Sequence, residues 1–208
     1  MNCSVGSKLV LFVSFVLFIS STYNSFCQQY FQQDVNYQID VLLDDKTHII
    51  KGFERIDYTN NSRDTLYQLY FHLWPNAYSN NNTALAKQLI QQGNTNFHYA
   101  NNSDKGYIDS LHFKVNDLPI VWKLDSTHND IAILTLNEPL YPNTNIIIST
   151  PFKVKVPIAK FSRLGHIGES YQITQWYPKP AVYDIEGWHP MPDRKSTRLN
   201  SSHQIISY

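Results

Sequence analysis

Eight histidines are the first residues of this chain that could do chemistry: His48, His72, His98, His112, His128, His166, His189 and His203. Zinc is often held by two imidazoles placed four residues apart on one helix face, and no two of the eight have that spacing. His72 and His112 fall in predicted strands, where a hydrogen-bonded structural role is the expectation. No G-x-S-x-G elbow is present to raise a serine nucleophile. The seven glycines form no loop of the kind that cradles phosphate. Asp44 and Asp45 look like a carboxylate pair, but they open "DDKT", a turn in which Asp is favoured for backbone reasons. The richest stretch is "GESYQITQWYPKPAVYDIEGWHPMP", residues 168–192. Gln172, Thr174, Gln175, Trp176, Tyr177, Tyr183, Trp188 and His189 mix neutral hydrogen-bonding groups with large aromatic faces. Such a mixture suits a ligand wall, and it equally suits a sandwich edge packed against another domain.

The elements that must position this stretch read mostly as β. In "YQIDVLL", Ile39, Val41 and Leu43 alternate with Gln38, Asp40 and Leu42, which predicts a half-buried strand. "HIIKGFERIDYTN" returns after the turn as its hairpin partner. "TLYQLYFHLWP" puts Tyr67, Leu69, Phe71 and Leu73 on one face and stops at Pro75. Further strands are predicted in "GYIDSLHFKV", "LPIVWKL", "DIAILTL" and "TNIIISTPFKVKV". In the last, Phe152, Val154 and Val156 face inward while Lys153 and Lys155 face water. One helix is predicted in "NNTALAKQLIQQG", capped by Asn82 or Thr83, with Leu85, Leu89 and Ile90 apolar and Gly93 as its stop. The fold class is therefore all-β, a sandwich with a short helix.

Length and charge narrow the function. A chain of 208 residues can bury a sizeable core. Seventeen cations balance seventeen acids, so nothing in the net charge favours nucleic acid or an anionic membrane as partner. Residues 1–27 read as a signal peptide: Lys8 precedes the apolar run from Leu9 to Ile19, which is short for the ~20 residues that cross a bilayer. Ser25 and Cys27 supply small side chains for cleavage before Gln28. The expected product is exported, periplasmic or secreted, with no stable membrane span after cleavage. Both cysteines, Cys3 and Cys27, leave with the leader, so the mature chain has no thiol for disulfides, catalysis or zinc. Sequons occur in predicted loops at Asn60, Asn81 and Asn101.

"YQIDVLLDDKTHIIKGFERIDYTNNSRDTLYQLYFHLWPNAY", followed by "TALAKQ", "GYIDSLHFKVND" and "QITQWYPKPAVYDIEGWH", resembles the N-terminal domain of aminopeptidase-N-like zinc metallopeptidases, the gluzincin group, in its exported bacterial branch. The resemblance runs from about residue 37 to residue 192. It implies a saddle-like β-sandwich packed in cis against a thermolysin-like catalytic domain that binds zinc through H-E-x-x-H and a later Glu. None of those motifs is in this chain, so no catalytic residue and no metal ligand is expected here; zinc belongs to the full-length protein. What such a domain contributes is a short polar loop reaching the free amino group of a peptide substrate. "ITQWYP" resembles that loop. Thr174 and Gln175 fall on its Thr/Ser-Gln pair, and Tyr177 falls where many relatives carry Glu or Gln. The resemblance therefore implies substrate binding by Gln175, Tyr177 and Thr174, with interdomain packing as the alternative. Two other readings stay open: a stand-alone binding module, for carbohydrate as an example, stacking sugars on Trp176, Tyr177, Tyr183 and Trp188, and a family member without catalysis.

The last residues, "PDRKSTRLNSSHQIISY", depart from this pattern, with three cations in five residues and then a polar run. One choice of codons for residues 193–203 resembles a common short-read sequencing adapter at every codon, and the remainder fits the index and continuation of that adapter. Residues 28–192 are thus expected to be the sandwich domain and 193–208 adapter read-through, and a nucleic-acid arm is not expected. Resequencing the locus from fresh DNA should replace every codon from Asp193 onward; a genuine reading frame encoding the tail would overturn the assignment.

Overall fold

The computed structural model describes residues 30–194. The expected leader, its two cysteines and all but the first two residues of the tail lie outside that range. The described strands are β1 (Asp34–Asp44), β2 (Ile49–Thr59), β3 (Leu66–His72), β4 (Tyr107–Asp109), β5 (Lys114–Val115), β6 (Leu118–Pro119) and β7 (Val121–Leu124). They continue with β8 (Ile131–Leu140), β9 (Asn145–Lys155), β10 (Gly165–Ile167), β11 (Ser170–Gln172), β12 (Lys179–Pro180), β13 (Val182–Asp184) and β14 (Gly187–His189). A 3-10 helix, Trp74–Tyr78, and the helix α1, Ala84–Gln91, lie between β3 and β4.

Two antiparallel sheets carry the fold, as the all-β reading requires. One has six strands in the order β1-β2-β9-β5-β6, with β4 also paired to β9. The other has four, in the order β12-β3-β8-β7. Ile50, Ile56 and Tyr58 of β2 and Ile148, Phe152 and Val154 of β9 share one core with Leu69 and Phe71 of β3 and Leu134 and Leu136 of β8. Phe71 meets Phe113 edge-on at 5.2 Å, tying the second sheet to the segment leading into β5. On β9 the alternation holds as expected: Phe152 and Val154 are buried, while Lys153 turns away to pair with Asp109 at 3.2 Å.

The helix forms where predicted. The Thr83 hydroxyl accepts from the Ala86 N–H at 3.1 Å and donates to the Ala77 carbonyl, closing the N-terminus. At the other end Gly93 takes φ 78°, and the N–H groups of Gly93 and Asn94 return to the carbonyls of Ile90 and Leu89. That is the six-to-one and five-to-two pattern of a glycine stop. Leu85, Ala86 and Leu89 are buried, but Ile90 faces outward.

Several readings need correction. Tyr67 does not share a face with Leu69: it is 65% exposed, and Leu66 is buried in its place. The register with β8 shifts between Leu66 and Gln68, so the inward parity changes there. His112 is not in a strand, because Ser110 at φ 62° breaks "GYIDSLHFKV" into β4 and β5. Val41 and Leu43 stand across from Gly52 and Ile50 yet remain exposed. The sequon residue Asn60 is fully buried, its amide donating to the carbonyls of Asp64 and Leu140 and its oxygen accepting from Ser62. No glycan fits on that amide in the folded protein.

The β2–β9 register places Gly52 opposite Phe152. A Cβ on Gly52 would come within 2.3 Å of the Cζ tip of Phe152, so the absence of a side chain is what lets that ring pack against β2. Gly52→Ala should therefore destabilise the domain by about 1–3 kcal/mol, read as a lower urea midpoint; an unchanged midpoint would show that the ring is not seated there.

Candidate functional site

The candidate loop, residues 173–178, joins β11 to β12 and is anchored through its aromatic residues. Trp176 packs on Phe152 with ring centroids 5.8 Å apart, so the ring seated over Gly52 also holds the loop. Tyr177 meets Trp176 edge-on at 5.2 Å and Tyr37 of β1 edge-on at 5.5 Å. Pro178 is buried behind them. Gln175 is exposed and has φ 56°, a left-handed backbone that a residue with a Cβ enters at a penalty of about 1–2 kcal/mol. Strain of this kind gathers at functional positions. The Gln175 side-chain oxygen accepts from Lys179 Nζ at 2.8 Å. That ammonium sits 4.0 Å from the Trp74 ring centre, and Trp74 stacks on His72 at 4.6 Å. Thr174 is half-buried at the start of the same loop.

The other residues of the aromatic stretch go elsewhere. Tyr183 and Trp188 lie on the β13–β14 ribbon with ring centroids 5.0 Å apart, and Trp188 also packs on Tyr70. The Tyr183 hydroxyl donates to Asp64 Oδ2 at 2.7 Å, and His189 pairs with Asp184 at 2.7 Å. Trp176 and Tyr177 are crossed at 75°, Tyr183 and Trp188 at 56°. These half-buried rings are tilted against one another.

A residue not singled out from the sequence lies under the loop. Glu54 of β2 is 0% exposed. Its cross-strand neighbours are Ile39 on β1 and Thr150 on β9, placing it on the core face between Gly52 and Ile56. Among the described residues neither carboxyl oxygen has a hydrogen-bond partner. Burial pushes its pKa up to about 9, so it is a neutral acid at pH 7. Burial also raises Tyr37 and Tyr177, and the Glu54 carboxyl adds to both shifts. Three strands and the loop thus enclose one acid among phenols.

Three of the described histidines stack on other rings. Burial, reinforced by the Lys179 cation, lowers His72 to about 4, so the ring is neutral against Trp74. His48 and His166 stack at 3.5 Å, and the Tyr171 hydroxyl lies 2.6 Å from His48 Nδ1. Among the described residues no three His, Cys, Asp or Glu side chains come together in a way that could hold a metal ion. None of the described helices is long and apolar enough to cross a membrane. No family model matches the chain, and no curated protein matches it either.

The buried acid has a measurable signature. Its folded pKa lies above the ordinary 4.5, so the folded state holds a proton that the unfolded chain releases. The stability it confers is complete below pH 4.5 and falls as pH rises toward 9. At pH 7 the loss is roughly 3 kcal/mol, at about 1.4 kcal/mol per pH unit. Urea unfolding between pH 4 and 9 should show Glu54→Gln gaining on the wild type by that slope; parallel curves would mean that Glu54 is ionised in the fold.

Proposed function

We propose that this chain is the substrate-entrance domain of an exported zinc-dependent aminopeptidase similar to aminopeptidase N, which removes residues from the N-terminus of peptides. Support comes from the all-β sandwich and from the order of motifs shared with that group. The observation that carries the reading is the 174–177 loop: Gln175 held outward in a strained backbone conformation, with Tyr177 beside it over the inner face of the large sheet. The Gln175 amide oxygen already accepts from the Lys179 ammonium, its second lone pair can accept from another, and the aromatic residues around it exclude water. In the intact enzyme this loop anchors the free amino group, and a catalytic domain in cis contributes the reaction.

The described residues do not fit a zinc site. No step through the metal is therefore assigned to this chain, and zinc would be held by the catalytic domain.

Reading the gene past the codon for Pro192 tests the proposal. An H-E-x-x-H motif with a later Glu is expected in frame. A natural stop with no such motif would sink the aminopeptidase reading, and a following domain without the motif would leave a binding protein instead. The purified 208-residue chain should not hydrolyse aminoacyl arylamides; zinc-dependent turnover by it would equally contradict the assignment.

A further inference from the structure

We propose that Glu54, buried beneath the Tyr37–Tyr177 pair with both carboxyl oxygens unpartnered, is an ammonium-binding residue that receives the free α-amino group of a peptide once the Tyr177 ring swings aside. The inference rests on the reading of the 174–177 loop as the amino-end anchor, and it adds a residue from a different part of the chain.

Buried polar groups are normally hydrogen-bonded, and one left without a partner requires an explanation. Glu54 stands on the inner face of β2 with Ile50, Gly52, Ile56 and Tyr58, where an apolar residue would give a more stable core. A structural role would give the carboxyl a partner. Thr150, directly across from it, is already engaged: its hydroxyl accepts from the His112 N–H at 2.9 Å and donates to the Pro151 carbonyl. The groups facing Glu54 from β1 and the loop are the phenols of Tyr37 and Tyr177.

This set selects the ligand. A divalent metal needs several carboxylate or imidazole ligands, and no such group stands with Glu54 among the described residues. A primary ammonium needs one carboxylate, further oxygen acceptors and, by preference, aromatic faces, and the phenols provide the last two. The covering side chain is the movable part. Tyr177 is half-buried and belongs to no strand, while its neighbours Trp176 and Pro178 hold the backbone down. Rotation of the Tyr177 ring then opens the way to Glu54 without unseating the loop. Binding is an exchange: the ammonium enters with its charge, the carboxyl loses its proton to solvent, and an ion pair with no net charge replaces a neutral acid.

The test is isothermal titration of the full chain at pH 7 with L-alanyl-L-alanine and with its N-acetyl derivative, in two buffers of different ionisation enthalpy. The free dipeptide should bind with release of about one proton, and the acetylated one about tenfold more weakly or worse. Glu54→Gln keeps the fold and should weaken dipeptide binding about tenfold while abolishing proton release. If Glu54→Gln binds as the wild type does and Gln175→Ala does not, the Glu54 assignment falls and the loop reading stands. If Gln175→Ala binds normally and Glu54→Gln does not, Glu54 is the anchor and the role of Gln175 falls. Equal binding of the free and acetylated dipeptides, or binding of neither, would overturn both.

Discussion

The antiparallel ladder between β2 and β9, eleven residues on each strand, is the constraint from which the rest of the domain follows. Side chains alternate across a sheet, so fixing this register decides which residues enter the core, and a slip of one would turn them all outward. In the observed register Gly52 faces Phe152, Glu54 faces Thr150 and Ile56 faces Ile148. The first pair lets an aromatic ring pack against the sheet, the second commits an acid to the interior, and the third fills the core between sheets. Trp176 packs on that ring, and Tyr177 therefore lies over the acid. Core and candidate site are consequences of one pairing, and disturbing the pairing would alter both.

Much of this was legible in the sequence where burial alone decides the pattern. Phe152, Val154 and the intervening Lys153 announce their faces because that strand lies in the middle of a sheet with a partner layer above it. The helix was legible through its ends, where Thr83 and Gly93 have specific backbone tasks. Alternation misled where a non-local event changed it. The register shift after Leu66 reverses the expected face of Tyr67, and Ser110 in a left-handed conformation interrupts a run that reads as one strand. Val41 and Leu43 show the remaining limit. They point the way the pattern says, but a pattern cannot reveal how far the opposing sheet extends.

The candidate site was legible in part. Gln175 and Tyr177 came from the resemblance of "ITQWYP" to a known loop, whereas composition left ligand wall and packing edge undivided. The left-handed backbone at Gln175 has no local signal, since glutamine gives no warning of it. Glu54 did carry a signal: in "IIKGFERIDY" it has the same parity as Ile50, Ile56 and Tyr58. An acid on the apolar parity of a strand is a contradiction between local pattern and global fold, and such contradictions mark functional positions. The buried sequon at Asn60 has the opposite lesson, because a motif read from three letters turned out to be a hydrogen-bonded corner.

A neutral buried acid suits recognition of an amine better than a fixed surface charge does, and the magnitudes show why. With its pKa at about 9, ionising Glu54 at pH 7 costs about 2.7 kcal/mol. An ammonium at contact, some 4 Å away, returns about 4 kcal/mol at an effective dielectric of about 20, before the cost of its own dehydration. A hydrated cation held off at roughly 7 Å returns only about 2.4 kcal/mol, less than the ionisation costs. The carboxyl would thus acquire its charge for a bare ammonium that displaces Tyr177 and stay neutral toward solvent ions that cannot. Burial, which weakens the domain, is on this view also what makes the site selective.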